Sequence, residues 1–261
     1  MDCTLTGVPD WDAAHYHQVS DPQTRWGLKV LDRLGPVDGE RIVDIGCGTG
    51  RLTVALAERA PGAAIVATDV SSAMVREARK ALDRVVPVVQ ADAVRLPFGS
   101  RFDAVFSTAT FHWVKDHAAL FSEIFRVLKP GGRLVSQAGG GPNLARLYGR
   151  CRALATEAEF APAFRGWTDP WNFAGVDETT ARLRDAGFID VSAWLEPTPT
   201  DFADADDYRA FVRTVCLRHQ LARLDEGQRE RYLRRLVEAA GEDDPAFTLD
   251  YWRLNIDARK P

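Results

Sequence analysis

Two patterns of apolar and polar positions alternate along the first half of the chain. Short, nearly continuous apolar runs (RIVDI, AIVATD, VPVVQAD, FDAVFST and RLVSQ) are separated by stretches whose apolar positions recur every three or four residues. Runs of that length, ending in glycine or polar residues, predict strands buried on both faces, and the stretches between them predict amphipathic helices. Residues 52–59 form one such helix. Met74, Val75, Ala78 and Leu82 mark the next, with Ser71 or Ser72 as its cap. Leu120, Phe121, Ile124, Phe125 and Leu128 mark a third, stopped by KPGG. An earlier helix is predicted over residues 21–34, with Pro22 in its first turn and Trp26, Val30, Leu31 and Leu34 on one face.

The second half is less regular. VDETTARLRDAGF predicts a helix ended by Gly187, followed by a strand over 189–195. Tyr208, Phe211, Val212 and Val215 predict one helix, and Tyr232, Leu233, Leu236 and Val237 another. TLDYWRLNIDAR alternates and predicts a closing strand. Strands alternating with helices imply an α/β fold: a doubly wound, mostly parallel seven-stranded sheet of Rossmann-like type. The whole of 1–261 is expected to form a single domain. Its core would span about 36–138, 176–200 and 246–261, and its cap or lid elements about 1–34, 140–175 and 201–245.

Composition narrows the function classes. Thirty-three Lys and Arg against 37 Asp and Glu leave a net charge of −4 without a run of one sign. That gives no footprint for nucleic acid or an anionic membrane. No apolar run approaches the ~20 residues of a membrane span, and the start MDCTLTGVPDWD lacks the basic and apolar regions of a signal peptide. Cys3, Cys47, Cys151 and Cys216 match neither a zinc pattern nor a small disulfide framework, and the histidines at 15, 17, 112, 117 and 219 form no metal pair. The expectation is a cytoplasmic enzyme with free thiols and no metal, monomeric or weakly dimeric, acting on a small molecule.

The chemistry concentrates at predicted strand ends, where ligands bind in such sheets. Asp44 is followed by Gly46, Gly48 and Gly50 in a G-x-G-x-G loop, not the G-x-G-x-x-G of NAD enzymes. Asp69 ends the second strand, where a carboxylate can accept both hydroxyls of a ribose. Asp92 follows the third strand, where an adenine amine would need an acceptor, and Met74 is placed to pack on the adenine ring.

VDIGCGTG, ATDVS, QADA, FDAVFST and LKPGG resemble the successive motifs of class I S-adenosylmethionine-dependent methyltransferases. FHWVKDH at 111–117, and DPQTRW at 21–26 with Tyr16 before it, resemble the small-molecule branch that contains trans-aconitate methyltransferase. The resemblance covers about residues 10–138 and implies S-adenosylmethionine as cofactor. It adds Tyr16, Gln23, Trp26, Cys47, Val70, Ala93 and Ser107 to the cofactor contacts.

On the substrate side, Phe111, His112 and Trp113 follow the fourth strand and Gln137 ends the fifth. Trp113, Trp167, Trp171 and Phe173 are candidates to line an apolar pocket over the methyl group. Arg253 and Asn255, two apart on the last strand, face one side and are candidate anchors for a polar or acidic group. An oxygen acceptor, carboxylate or hydroxyl, is favoured over nitrogen or carbon methylation and over a non-catalytic cofactor-binding protein. His112 is the candidate catalytic residue. It serves as a general base if the acceptor must lose a proton, and only as a hydrogen-bonding pocket residue if the acceptor is a carboxylate.

Overall fold

A computed structural model describes residues 21–83 and 85–261, with side chains from Thr24 onward. Helix α1 (Asp21–Leu34) leads into β1 (Arg41–Ile45), α2 (Arg51–Arg59), β2 (Ala64–Asp69), α3 (Ser72–Ala81), β3 (Val88–Gln90) and β4 (Phe102–Thr108). After a 3-10 turn at Phe111–Trp113 come α4 (His117–Val127), β5 (Leu128–Gly139), α5 (Ala145–Ala155), α6 (Val176–Asp185) and β6 (Ile189–Pro197). The chain continues through β7 (Thr200–Asp201), α7 (Ala205–Phe211), a π turn (Val212–Cys216), α8 (Arg218–Leu221), α9 (Glu226–Gly241), β8 (Thr248–Leu249) and β9 (Trp252–Arg259).

Seven strands form one sheet in the order β3-β2-β1-β4-β5-β9-β6. Strands β1 to β5 pair in parallel and β9 runs antiparallel to β5. Alternate residues of one strand feed opposite cores, which is why the strands read as continuous apolar runs. Val43, Val105 and Leu134 enter a cluster with Leu120, Phe121 and Ile124 of α4. Ile42, Ala104, Phe106 and Val135 enter another with Val30 and Leu31 of α1, Leu56 of α2 and Val75 of α3. Strand order reverses between β1 and β4, so a crevice opens beyond their carboxyl ends.

Helix α1 is fastened to the far end of the chain. The Arg33 guanidinium donates to Asp257 Oδ1 (2.8 Å), Asn255 Oδ1 (2.8 Å) and the Ser136 carbonyl (2.7 Å), and stacks over Trp194 at 4.9 Å. Gly27 of α1 packs so closely on α2 that a Cβ there would lie 2.2 Å from Leu52 Cδ1.

The chain divides into two compact units. Among the described residues, the sheet unit comprises 21–141, Trp171–Glu196 and Arg253–Pro261; the other includes Pro142–Pro170 and Pro197–Trp252. This second unit holds α5, α7, α8, α9 and the β7–β8 pair around buried Tyr208, Tyr232 and Phe160. Tyr232 donates to the Cys151 carbonyl (3.0 Å) and Tyr148 to the Cys216 carbonyl (3.2 Å), so these two buried phenols are satisfied. Arg150 grips Asp243 with two bonds, of 2.9 and 2.6 Å.

Four elements differ from the sequence expectation. The third strand is only Val88–Gln90, shorter than VPVVQAD. The fifth begins before KPGG: Leu128 pairs with Phe102, residues 130–132 then shift the register, and Arg133 pairs with Ala104. Gly131, at φ +76°, accommodates the shift. The expected closing strand is broken, because Thr248 and Leu249 pair with β7 while Trp252–Arg259 joins the large sheet. The expected helix over Tyr208 to Val215 gives way at Val212, where Leu217 N–H reaches the Val212 carbonyl (2.9 Å), a five-residue step that widens the coil. Among the described residues no helix is long and apolar enough to cross a membrane, and no group of acids, histidines and cysteines is arranged to hold a metal.

Candidate functional site

The loop after β1 is shaped by three left-handed glycines, Gly46 (φ +75°), Gly48 (+55°) and Gly50 (+86°). They differ in what surrounds them. A Cβ on Gly46 would strike Thr110 Oγ1 at 2.1 Å, whereas one on Gly48 would meet nothing within 4 Å. Gly46 therefore lets the loop press against the end of β4, and Gly48 faces open room where a ligand can approach the backbone. Gly46 and Cys47 N–H both donate to the Thr68 carbonyl (2.7 and 2.9 Å), binding the loop to β2. Thr110 Oγ1 donates between the Gly46 (3.1 Å) and Thr108 (2.9 Å) carbonyls. Nothing in the apolar pattern marks Thr110, because its role arises from contact with a glycine 64 residues away.

Asp44 lies beneath the loop, buried, and accepts from Thr53 Oγ1 of α2 at 2.6 Å. Burial pushes its carboxyl up to about 7, against the Thr53 bond, and the Asp69 charge adds to the rise. Asp69 lies at the rim of the sheet, with Oδ2 accepting from Gly48 N–H and Oδ1 from Ser71 N–H, both at 2.9 Å. The Cys47 thiol is pushed up by burial and by the Asp44 and Asp69 carboxylates, so it stays protonated.

The other expected cofactor residues separate by exposure. Val70 is 51% exposed beside Asp69, and Asp92 is exposed, with Oδ1 accepting from Val94 N–H (3.1 Å). Ala93 and Met74 are buried, Met74 N–H being capped by Ser71 Oγ (3.1 Å). Ser107 is 1% exposed and donates to the Ile45 carbonyl (2.7 Å). Its hydroxyl braces β4 against β1, inside the sheet instead of at the rim. Tyr16 lies outside the described residues, as does the side chain of Gln23. Trp26 of α1 lies beneath the Arg253 guanidinium, 4.3 Å from it.

The turn after β4 gathers the substrate candidates of the sheet unit. Phe111 is buried edge-on against Phe121, which leaves it a core residue. His112 packs on Trp113 (5.0 Å) and Phe173 (5.8 Å), Trp113 meets Trp171 edge-on (6.5 Å), and Trp171 stacks on Phe173 (5.7 Å). Bonds to backbone carbonyls hold this aromatic group together: Asn172 N–H donates to the His112 carbonyl (2.7 Å) and Lys115 Nζ to the Trp171 carbonyl (3.0 Å). Trp167 belongs instead to the second unit, where its Nε1 donates to Asp169 (3.0 Å).

Gly139 N–H, at the end of β5, donates to His112 Nδ1 at 3.3 Å. Across the sheet Gly139 is registered with Arg253 of β9, which is 3% exposed. Burial drives the His112 ring down to about 3, and the charges of Arg253 and His117 act in the same direction. His117 itself is buried at the start of α4, with Nε2 donating to the Phe111 carbonyl (3.0 Å). Gln137 and Asn255 are engaged with each other at 2.8 Å, and Asn255 is also gripped by Arg33. Of the pair expected on the last strand, Arg253 thus stands by the aromatic group while Asn255 is used in fastening α1.

A family model described as a methyltransferase domain matches residues 43–136. A trans-aconitate 2-methyltransferase of Azoarcus sp. is 39% identical over 130 residues, 50% of this chain and 51% of that protein. The chain thus spans about half the length of the first curated relatives it matches. A trans-aconitate 2-methyltransferase of Variovorax paradoxus, however, is 35% identical over 265 residues, covering 96% of this chain and 98% of that protein. The chain belongs to the class I S-adenosylmethionine-dependent methyltransferases. The fold agrees: a Haemonchus contortus phosphoethanolamine N-methyltransferase 2 structure, in complex with phosphomonomethylethanolamine and S-adenosylhomocysteine, superposes with a TM-score of 0.62 at 20% identity, over 95% of this chain and 57% of that one. In a methyltransferase of this class the cofactor is S-adenosylmethionine, and the unobstructed backbone at Gly48 with the Asp69 carboxylate bonded to its N–H is chemistry that suits a ribose-bearing group.

Proposed function

We propose that this methyltransferase transfers the methyl group of S-adenosylmethionine to a carboxylate oxygen of a small organic acid of the trans-aconitate type. The observation that carries this reading is Arg253, a buried guanidinium on β9 registered with Gly139 and acting on the neutral ring of His112. A cation beside an uncharged imidazole and an aromatic wall suits an anionic acceptor and disfavours an ammonium. The acceptor named for the relatives that match nearly the full chain is such an acid.

In this reading the loop Gly46–Cys47–Gly48 and Gly50 hold the cofactor over the crevice, with Asp44 and Thr53 fixing the loop from below. Asp69 holds the ribose, Val70, Met74, Asp92 and Ala93 the adenine, and Trp26 with Tyr16 and Gln23 the methionine end. The cofactor supplies a sulfonium methyl: a carboxylate oxygen forms its bond to that carbon as the carbon–sulfur bond breaks, leaving an ester and a thioether without any proton transfer. The protein therefore has to align the partners and exclude water, and alignment alone contributes roughly 7–11 kcal/mol. Trp113, Trp171 and Phe173 exclude water, while Arg253 holds the acid. These groups all lie in the sheet unit. We read the protein as a cytoplasmic monomer or weak homodimer without a nucleic-acid partner. Its free Cys47, Cys151 and Cys216 and its balanced charge support that reading.

The test is direct. Purified protein with S-adenosylmethionine and trans-aconitate should yield a monomethyl ester and S-adenosylhomocysteine, followed by mass spectrometry. Transfer to amines or phenols with none to carboxylic acids would overturn it.

A further inference from the structure

We propose that His112 is locked as its Nε2–H tautomer by the Gly139 amide and serves the acceptor as a fixed hydrogen-bond donor, a specificity-determining residue and not a proton acceptor. The inference deepens the carboxylate reading above and rests on it for the identity of the acceptor, but the tautomer itself does not.

The argument starts from the Gly139 amide. It can donate to Nδ1 only if that nitrogen presents a lone pair. In a neutral imidazole the single ring proton then sits on Nε2. A cationic ring, or the opposite tautomer, would set two N–H groups against each other across 3.3 Å. The charged and titratable groups acting on the ring reinforce the lock. Arg253 on β9 and His117 on α4 both oppose protonation. The backbone holds the ring in place through Asn172 N–H on the His112 carbonyl, and Trp113 and Phe173 pack on the ring.

A neutral ring with its only proton on Nε2 can donate to an anionic oxygen but has no free lone pair with which to take a proton. An alcohol, phenol or ammonium must lose a proton on methylation; a carboxylate arrives without one. His112 therefore selects acceptors already ionised at neutral pH. Arg253 adds charge to the selection, and Gly139 acts as a positioning residue through His112.

Two measurements decide this. Long-range nitrogen–proton correlation spectra of histidine-labelled protein with S-adenosylhomocysteine, with His112 assigned by its loss in His112→Gln, should show the Nε2–H pattern unchanged from pH 6 to 9. The Nδ1–H pattern or a cationic ring at pH 7.5 would overturn the proposal, whether or not any acid is methylated. The second measurement uses trans-aconitate as acceptor. A glutamine amide nitrogen stands where Nε2 stood, so His112→Gln should keep turnover within about tenfold while His112→Leu loses about 10- to 100-fold, mostly in KM. If both variants instead lose about 10²–10⁴-fold in kcat, together with an ionisation near neutrality, His112 is a base and the proposal fails. Failure of wild-type protein to methylate trans-aconitate would count against the acceptor reading alone.

Discussion

Both oxygens of Asp69 already accept backbone N–H groups, from Gly48 and Ser71. The residue thus shapes the loop before any ligand arrives. Asp69→Ala is expected to weaken S-adenosylhomocysteine binding by about 2–4 kcal/mol in calorimetry. It should also lower the melting temperature of the cofactor-free protein, since two part-buried donors lose their partner. An unchanged dissociation constant would place the ribose elsewhere. Residues of this kind were legible in the sequence because glycine spacing and strand-end acids carry their chemistry in the residue type. Ser107 and Asn255 were not. In a sheet buried on both faces, alternation separates two sets of residues without saying which set looks where. Ser107 turned out to brace Ile45, and Asn255 to hold Arg33. The Gly139 amide that orients His112 was beyond reach for a different reason: backbone donors leave no mark in residue type.

At the scale of elements, local signals sufficed where the chain makes its own decision. Helix α9 shows this: Asp225 caps Gln228 N–H (2.8 Å) and Gln228 returns the bond to Asp225 N–H (3.2 Å). Asp225→Ala is expected to destabilise the second unit by about 0.5–2 kcal/mol in denaturant titration, and Asp225→Asn by less. A cost equal for both would mean that charge and not the capping bond matters. Elements decided by partners were harder to read. TLDYWRLNIDAR has the alternation of one strand, yet its first part pairs with β7 and its last part with β5, choices made by residues about 50 and 120 positions away. The π turn at Val212–Cys216 keeps helical periodicity closely enough that spacing alone continues the helix through it.

At the scale of the molecule, the doubly wound order was legible because each crossover follows from the one before it. Cap segments at about 140–175 and 201–245 were expected because the strand–helix period breaks there; that Pro142–Pro170 and Pro197–Trp252 cluster as a compact unit was not part of that expectation. One global property follows from Asp44. Its folded pKa, about 7, exceeds the ordinary 3.8, so the protonated form is the stabilised one. That stability is present below about pH 4 and lost as pH rises through 7, with a limit of roughly 4 kcal/mol. Glu40, Asp103, Glu123 and Asp243, held below their usual range, act in the opposite direction at acid pH. The comparison must therefore be with Asp44→Asn: between pH 5 and 9 the wild type should lose melting temperature relative to the variant, and parallel curves would contradict the burial of an ionisable Asp44. The clasp of Arg33 bears on how the chain is made. Asp257 lies 224 residues downstream; at roughly 5–20 residues per second on the ribosome, the guanidinium waits on the order of ten to forty-five seconds for its partner. For about the second half of that interval, after Gly139 has been made and before β9 follows, β5 is an open edge, able to pair with any passing strand. The sheet thus closes last at the seam where α1 meets β9.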